Sequence, residues 1–239
     1  MSLSSINETK QTKSLILNNN QLTAINRDWF GLFPDLEYLD LSFNQIEQID
    51  MNSFQLLNKL KVLKLNNNLL TSFNSTHLNG LVSLEQLFLN NNFFKQFDNF
   101  TFAKFNNSLI YLDVSFNQVE NVARFEFDGL QNLTELIISN NLIGSIDDDS
   151  FQSQSGLKRL DLSYNRIKSI APRMFNGLSS AVDINLSNNQ IGEIDTEALN
   201  SVPSLVNLDL SNNPLQGQYL TFDCSSIYSN FLIFEFFYI

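Results

Sequence analysis

Residues 157–167 read Leu157-Lys158-Arg159-Leu160-Asp161-Leu162-Ser163-Tyr164-Asn165-Arg166-Ile167, and the apolar positions around the one asparagine decide the fold. The same phrase stands at Leu39, Leu41, Asn44, Ile46 and at Leu63, Leu65, Asn68, Leu70. Following its asparagine along the chain gives Asn20, Asn44, Asn68, Asn92, Asn117, Asn141, Asn165, Asn189 and Asn213. Every spacing is 24 residues except the 25 between Asn92 and Asn117. The surplus residue falls in Asn106-Asn107-Ser108, a stretch read as a back-side loop where insertions are tolerated.

Asparagine makes up 34 of 239 residues, so runs such as Asn66-Asn67-Asn68 could match one column by accident. A second column removes that objection. Ten residues after the asparagines come Phe30, Phe54, Leu78, Phe102, Phe127, Phe151, Phe175 and Leu199, large apolar residues in every complete unit. Two unrelated columns with one period describe a repeat.

Each unit reads as one turn of a coil. The x-L-x-L-x segment alternates with period two, so it is a short strand with leucines inward and the residues between them outward. Stacked turns make a parallel sheet. The asparagine stands where the chain leaves the strand, and its amide can satisfy backbone groups that the turn would otherwise bury unpaired. The phenylalanines fall on the return leg, where stacked rings fill the space behind the sheet.

Composition excludes several function classes. With 25 acidic against 14 basic residues, a formal charge of -11 opposes phosphate binding, so no nucleic acid is expected as partner. One cysteine and one histidine rule out a Cys/His metal cluster and a disulfide within the chain. His77 is tied to no nucleophile or carboxylate by any motif, so no enzyme, cofactor or metal site is expected. Asp147-Asp148-Asp149 lacks alternating ligand spacing and reads as a solvated loop. The lead from Met1 to Thr12 lacks the basic flank and apolar stretch of an export signal. Phe231 to Ile239 is broken by Glu235 and is too short to span a bilayer.

The repeat resembles the leucine-rich repeat family, and the 24-residue unit with a phenylalanine on its return leg is similar to the "typical" subtype of Toll-, Slit- and chaoptin-like animal proteins. The resemblance implies an α/β horseshoe solenoid, with a parallel β-sheet on the concave face and a mostly irregular convex side with little helix. Nine repeats are expected over 12–215, with 1–11 a short lead or partial cap and 216–239 a tail, a degraded cap or the product of truncation. Extracellular members usually carry cysteine-rich caps, the C-terminal one starting N-P-W-x-C-x-C. Here Asn213-Pro214-Leu215-Gln216-Gly217 leads to the single Cys224, so the chain is read as a piece of a longer protein. The implied function is non-enzymatic protein–protein recognition, in an ectodomain-like part of an extracellular or cell-surface protein of innate immune sensing or cell adhesion. An intracellular scaffold or regulatory subunit in the cytoplasm is the alternative. A dimer is among the assemblies that the resemblance implies.

The expected partner is a protein or peptide on the concave face. Outward strand positions give the candidates Tyr38, Asp40, Val62, Lys64, Phe88, Tyr111, Asp113, Ile137, Arg159 and Asp161, with Phe116 just before its asparagine. Val62, Phe88, Tyr111 and Ile137 would lie on adjacent strands about 4.8 Å apart. Two readings fit them, a ligand hot spot and cross-strand packing without a ligand. Asp40, Asp161 and Asp209 recur in the L-D-L-S phrase and read as solvated consensus residues.

N-glycosylation sequons stand at Asn7, Asn74, Asn99, Asn106, Asn132 and Asn185, against about five expected from composition. A glycan on Asn185 would sit on the concave face itself.

Overall fold

The structure, a computed structural model, describes residues 11–105 and 108–215. The expectations for Asn7, Asn106, Cys224, nearly all of the 1–11 lead and the 216–239 tail lie outside the described residues.

Each unit contributes one three-residue strand: Ser14–Ile16, Tyr38–Asp40, Val62–Lys64, Gln86–Phe88, Tyr111–Asp113, Glu135–Ile137, Arg159–Asp161, Asp183–Asn185 and Asn207–Asp209. They form one nine-stranded parallel sheet in chain order. Register is unbroken, with Leu15 opposite Leu39, Leu39 opposite Leu63 and Leu87 opposite Leu112. The 25-residue unit therefore absorbs its extra residue before the strand rather than within it. A slip of one residue would turn every inward leucine to solvent, and this fixes the register.

The middle residue of each strand faces inward. Leu39, Leu63, Leu87, Leu112, Leu136 and Leu160 are fully buried, as are the second leucine-position residues Leu41, Leu65, Leu89, Val114, Ile138 and Leu162. Behind them runs the predicted ring column. Phe30 stacks on Phe54 at 5.7 Å and Phe102 on Phe127 at 6.0 Å, and Phe151 and Phe175 are equally buried. Burial of one such side chain stabilises by roughly 1.5 to 3 kcal/mol, so each unit gains mainly from the leucines and ring that it hides between its neighbours.

The asparagines tie one turn to the next. Asn68 Nδ2 donates to the carbonyls of Leu41, Leu65 and Asn66, and its Oδ1 accepts from Ile46 N–H at 3.0 Å. Asn117, Asn141, Asn165 and Asn189 make the same four bonds. Asn20, in the first unit, reaches only Leu17 and Asn18 of its own turn. The residue before every ladder asparagine has φ between 52° and 56°, the left-handed region, because the chain must turn sharply off the strand there.

The convex side is mostly irregular with little helix, as expected, and carries three short parallel pairs. Ala24–Ile25 pairs with Gln48–Ile49, Asn121–Val122 with Ser145–Ile146, and Ser169–Ile170 with Glu193–Ile194. Adjacent turns of equal length bring these extended dipeptides within ladder distance. Helix is confined, among the described residues, to short 3₁₀ turns such as Ala103–Phe105 and Thr196–Ser201.

Candidate functional site

The strand positions that flank the buried leucines face the concave side. Tyr38 and Val62 lie opposite each other in register, as do Lys64 and Phe88, Phe88 and Asp113, and Asp113 and Ile137. Their side chains are in contact. The Lys64 ammonium lies 5.5 Å from the centre of the Tyr38 ring and 5.3 Å from that of Phe88. Phe88 in turn packs on Tyr111 at 5.0 Å with the rings tilted by 37°. Four successive strands thus carry one tract, Tyr38–Lys64–Phe88–Tyr111. A cation between two ring faces is attracted electrostatically to both.

Asp113 borders it. Its Oδ1 accepts from the Ser115 backbone N–H at 2.9 Å and from the Ser115 hydroxyl at 2.6 Å. Burial nonetheless pushes the Asp113 carboxyl up from its ordinary pKa, outweighing those bonds, and Asp161 adds to the rise. Tyr111 is pushed up to about 12, first by burial and then by the negative charges of Asp113 and Glu135. Its phenol stays a neutral hydrogen-bonding group at physiological pH.

The aspartates of the L-D-L-S phrase need correction. Asp40 and Asp161 are buried rather than solvated, because each carboxylate folds back to accept from the N–H and hydroxyl of the serine two residues on, Ser42 and Ser163. Asp209 is exposed, as expected of a consensus surface residue. The second oxygens of the buried pair reach sideways, Asp40 Oδ2 to the Tyr38 hydroxyl at 3.4 Å and Asp161 Oδ2 to Arg159 at 3.8 Å. Asp149 is corrected likewise. It turns inward at φ 62° and takes bonds from Asn176 and Arg173, with Arg124 at 3.7 Å, while Asp147 and Asp148 stay exposed. Those partners, Asn176 first, hold its carboxyl below the usual range.

Phe116 stands at the border of the sheet, 52% exposed and in the left-handed conformation. The sequence reading singled it out alone. Phe43 and Tyr164 occupy the same register and are as exposed. Their signal was legible in the parallel phrases Ser42-Phe43-Asn44 and Ser163-Tyr164-Asn165. The contact of Lys64 with two rings was not, since period two places its side chain on the face but does not set its rotamer. Val62 and Ile137 are half-buried between their strand neighbours and extend the apolar floor.

Among the described residues no group of three or more His, Cys, Asp or Glu side chains could hold a metal ion, and no helix is long and apolar enough to cross a membrane.

No curated protein matches the chain in sequence. Among solved structures, the TLR13–ssRNA13 complex superposes with a TM-score of 0.77 at 28% identity, over 83% of this chain and 28% of that one. A chain of the octameric complex of Latrophilin 3, Unc5D and FLRT2 (LRR) superposes with a TM-score of 0.76 at 25% identity, over 86% of this chain and 63% of that one. A leucine-rich repeat protein of Leptospira interrogans gives 0.66 at 26%, over 93% and 60%. This chain spans less than two thirds of the length of each. Family models described as leucine rich repeat match residues 10–63, 34–94, 131–191 and 155–215, with further matches at 105–124 and 204–231. With the asparagine ladder, the ring column and the parallel sheet in one register, the chain belongs to the leucine-rich repeat family.

Proposed function

We propose that this chain is a non-enzymatic recognition module of an extracellular or cell-surface protein, and that it binds a protein or peptide ligand on the concave sheet. One observation carries the reading: the contiguous tract Tyr38–Lys64–Phe88–Tyr111, with Asp113 at its border. Aromatic and cationic anchors in an ordered patch dominate the energetics of protein interfaces. A stiff sheet loses little conformational freedom on binding, so few contacts suffice for specific association.

The structural neighbours support a binding role and include receptor assemblies with an RNA and with protein partners. For this chain a protein ligand fits better. The net charge of -11 and the concave acids Asp40, Asp113, Glu135, Asp161, Asp183 and Asp209 oppose a phosphate backbone, with only Lys64 and Arg159 as basic groups on those strands.

Capture from the medium and cell surfaces of the source organism tests this. Phe88→Asp and Tyr111→Asp replace half-exposed rings, so both should fold with unchanged circular dichroism and lose capture by about tenfold or more. Full capture by both folded variants would reject the concave tract as the site.

A further inference from the structure

The convex ladder lapses between the second and fifth units, its longest break, and once more between Ser145–Ile146 and Ser169–Ile170. No strand pair joins residues 72–73 to 96–97, and side chains hold the backbone at the two edges of the gap instead. His77 Nδ1 accepts from Asn74 N–H at 3.1 Å. Glu126, buried, accepts from Phe97 N–H at 2.9 Å and Ala123 N–H at 3.0 Å. Between these edges opens a groove of about 790 Å³, with Phe73, Asn74, Phe93, Gln96, Asp98 and Asn121 among its walls. A hollow of about 250 Å³ shares Gln96, Asp98 and Asn121 with it and reaches Asn99.

One exposed phenylalanine, Phe93, stands in the wall of the larger groove, and an exposed pair follows Asn99 in the chain. Phe93 is 43% exposed, and Phe100 and Phe125 stack at 5.5 Å beside Asn99. Phe100 is held at φ 62°, where the same register of other units has Asn52 and Asp149, short polar residues that tolerate it. Exposed rings clustered on a soluble surface point to something that covers them. The polar walls of the larger groove are the amides of Asn74, Gln96, Gln118 and Asn121, the carboxylates of Asp98 and Glu120, and Lys95. A pyranose matches that mixture, with one face of C–H bonds for a ring and a rim of hydroxyls for the amides.

Both hollows have a sequon asparagine in their walls, Asn74-Ser75-Thr76 and Asn99-Phe100-Thr101. The Asn74 Oδ1 accepts from Thr76 N–H at 3.0 Å and the Thr76 hydroxyl at 2.6 Å, and neither bond uses Nδ2, the atom that a glycan substitutes. Asn99 is exposed.

We propose that this flank is a saccharide seat filled by the chain's own N-linked glycans, with the first sugars on Asn74 lying against Phe93 and those on Asn99 against Phe100 and Phe125. The proposal rests on the extracellular reading above. The donor is a lipid-diphosphate-linked oligosaccharide. The Asn Nδ2–C1 bond forms as the bond from C1 to the diphosphate oxygen breaks, and the displaced amide proton passes to a base of the transferase. Both glycans then close the gap in the convex ladder and leave the concave tract uncovered.

The test is the full chain secreted from a eukaryotic cell, with site occupancy read by mass spectrometry and glycan release by an amidase timed on the native protein. Asn132, exposed on a different loop, is the internal standard. Occupied Asn74 and Asn99 that lose their glycans about tenfold more slowly than Asn132 support the seat, the factor being that of one good ring contact. Phe93→Ala should then bring Asn74, and Phe100→Ala bring Asn99, to the Asn132 rate. Equal rates at all three sites, or a glycan at Asn132 with Asn74 and Asn99 bare, overturn the seat while leaving the extracellular reading intact. A secreted protein bare at all three overturns the seat. Binding of free N,N′-diacetylchitobiose to Asn74→Gln protein, lost with Phe93→Ala, overturns the assignment to the chain's own glycans.

Discussion

At the scale of single residues, stability turns on buried polar groups. Asn141 has four bonds, to the carbonyls of Val114, Ile138 and Ser139 and from Val119 N–H. Asn141→Ala leaves those groups unpaired in a dry interior and should cost about 3 kcal/mol in urea unfolding. Asn20→Ala removes only exposed bonds within its own turn and should cost less than about 1 kcal/mol. Equal losses at both sites would contradict the ladder's role. Glu126 gives a pH prediction. Burial raises its carboxyl to about 7 from an ordinary 4.5, against two backbone N–H donors and with Asp147 adding to the rise. Between those values the folded chain keeps a proton that the unfolded chain has lost, so stability falls as pH rises, by at most about 1.4 kcal/mol per unit. Glu126→Gln should remove that fall, read as the difference between wild-type and variant unfolding midpoints from pH 4.5 to 7.

At the scale of the element, the ring column and the turns set how units stack. Phe127→Ala empties a fully buried site against Phe102 and should cost about 4 kcal/mol by denaturant unfolding. Gly177 has φ +96°, and a Cβ there would collide with the Phe151 carbonyl oxygen of the preceding turn, so Gly177→Ala destabilises. Gly144 meets nothing within 4 Å, and Gly144→Ala should be neutral or stabilise by about 0.5 kcal/mol. These elements were largely legible. The spacing of Asn44 to Asn213 and of Phe30 to Phe175 dictated strand, turn and spine, because each column answers one physical need per turn. The convex pairs were not legible. Dipeptides such as Ala24–Ile25 and Ser169–Ile170 share no residue type that two paired residues require, and only the closeness of neighbouring turns aligns them.

At the scale of the whole molecule, one face carries the ring-and-lysine tract proposed for recognition and the other is built for stacking. The sequence located the concave face through Phe88, Tyr111 and Ile137, since period two fixes which side chains point outward. It misjudged Asp40 and Asp161. A two-residue return to the serine hydroxyl is a local choice that periodicity does not encode. It also did not reveal that Lys64 touches two rings, because contact between a flexible cation and rings one strand away on either side depends on rotamers. Lys64→Met keeps the stem over the rings and removes the charge. It should leave the fold unchanged and weaken ligand capture by about tenfold, the worth of one partly desolvated cation contact. The most direct measurement is photo-crosslinking from residue 88 in the concave tract, compared with residue 56, an exposed leucine away from the sheet, in the presence of the ligand source. The recognition account predicts a protein adduct from position 88 and none from position 56; an adduct from position 56 alone would contradict it.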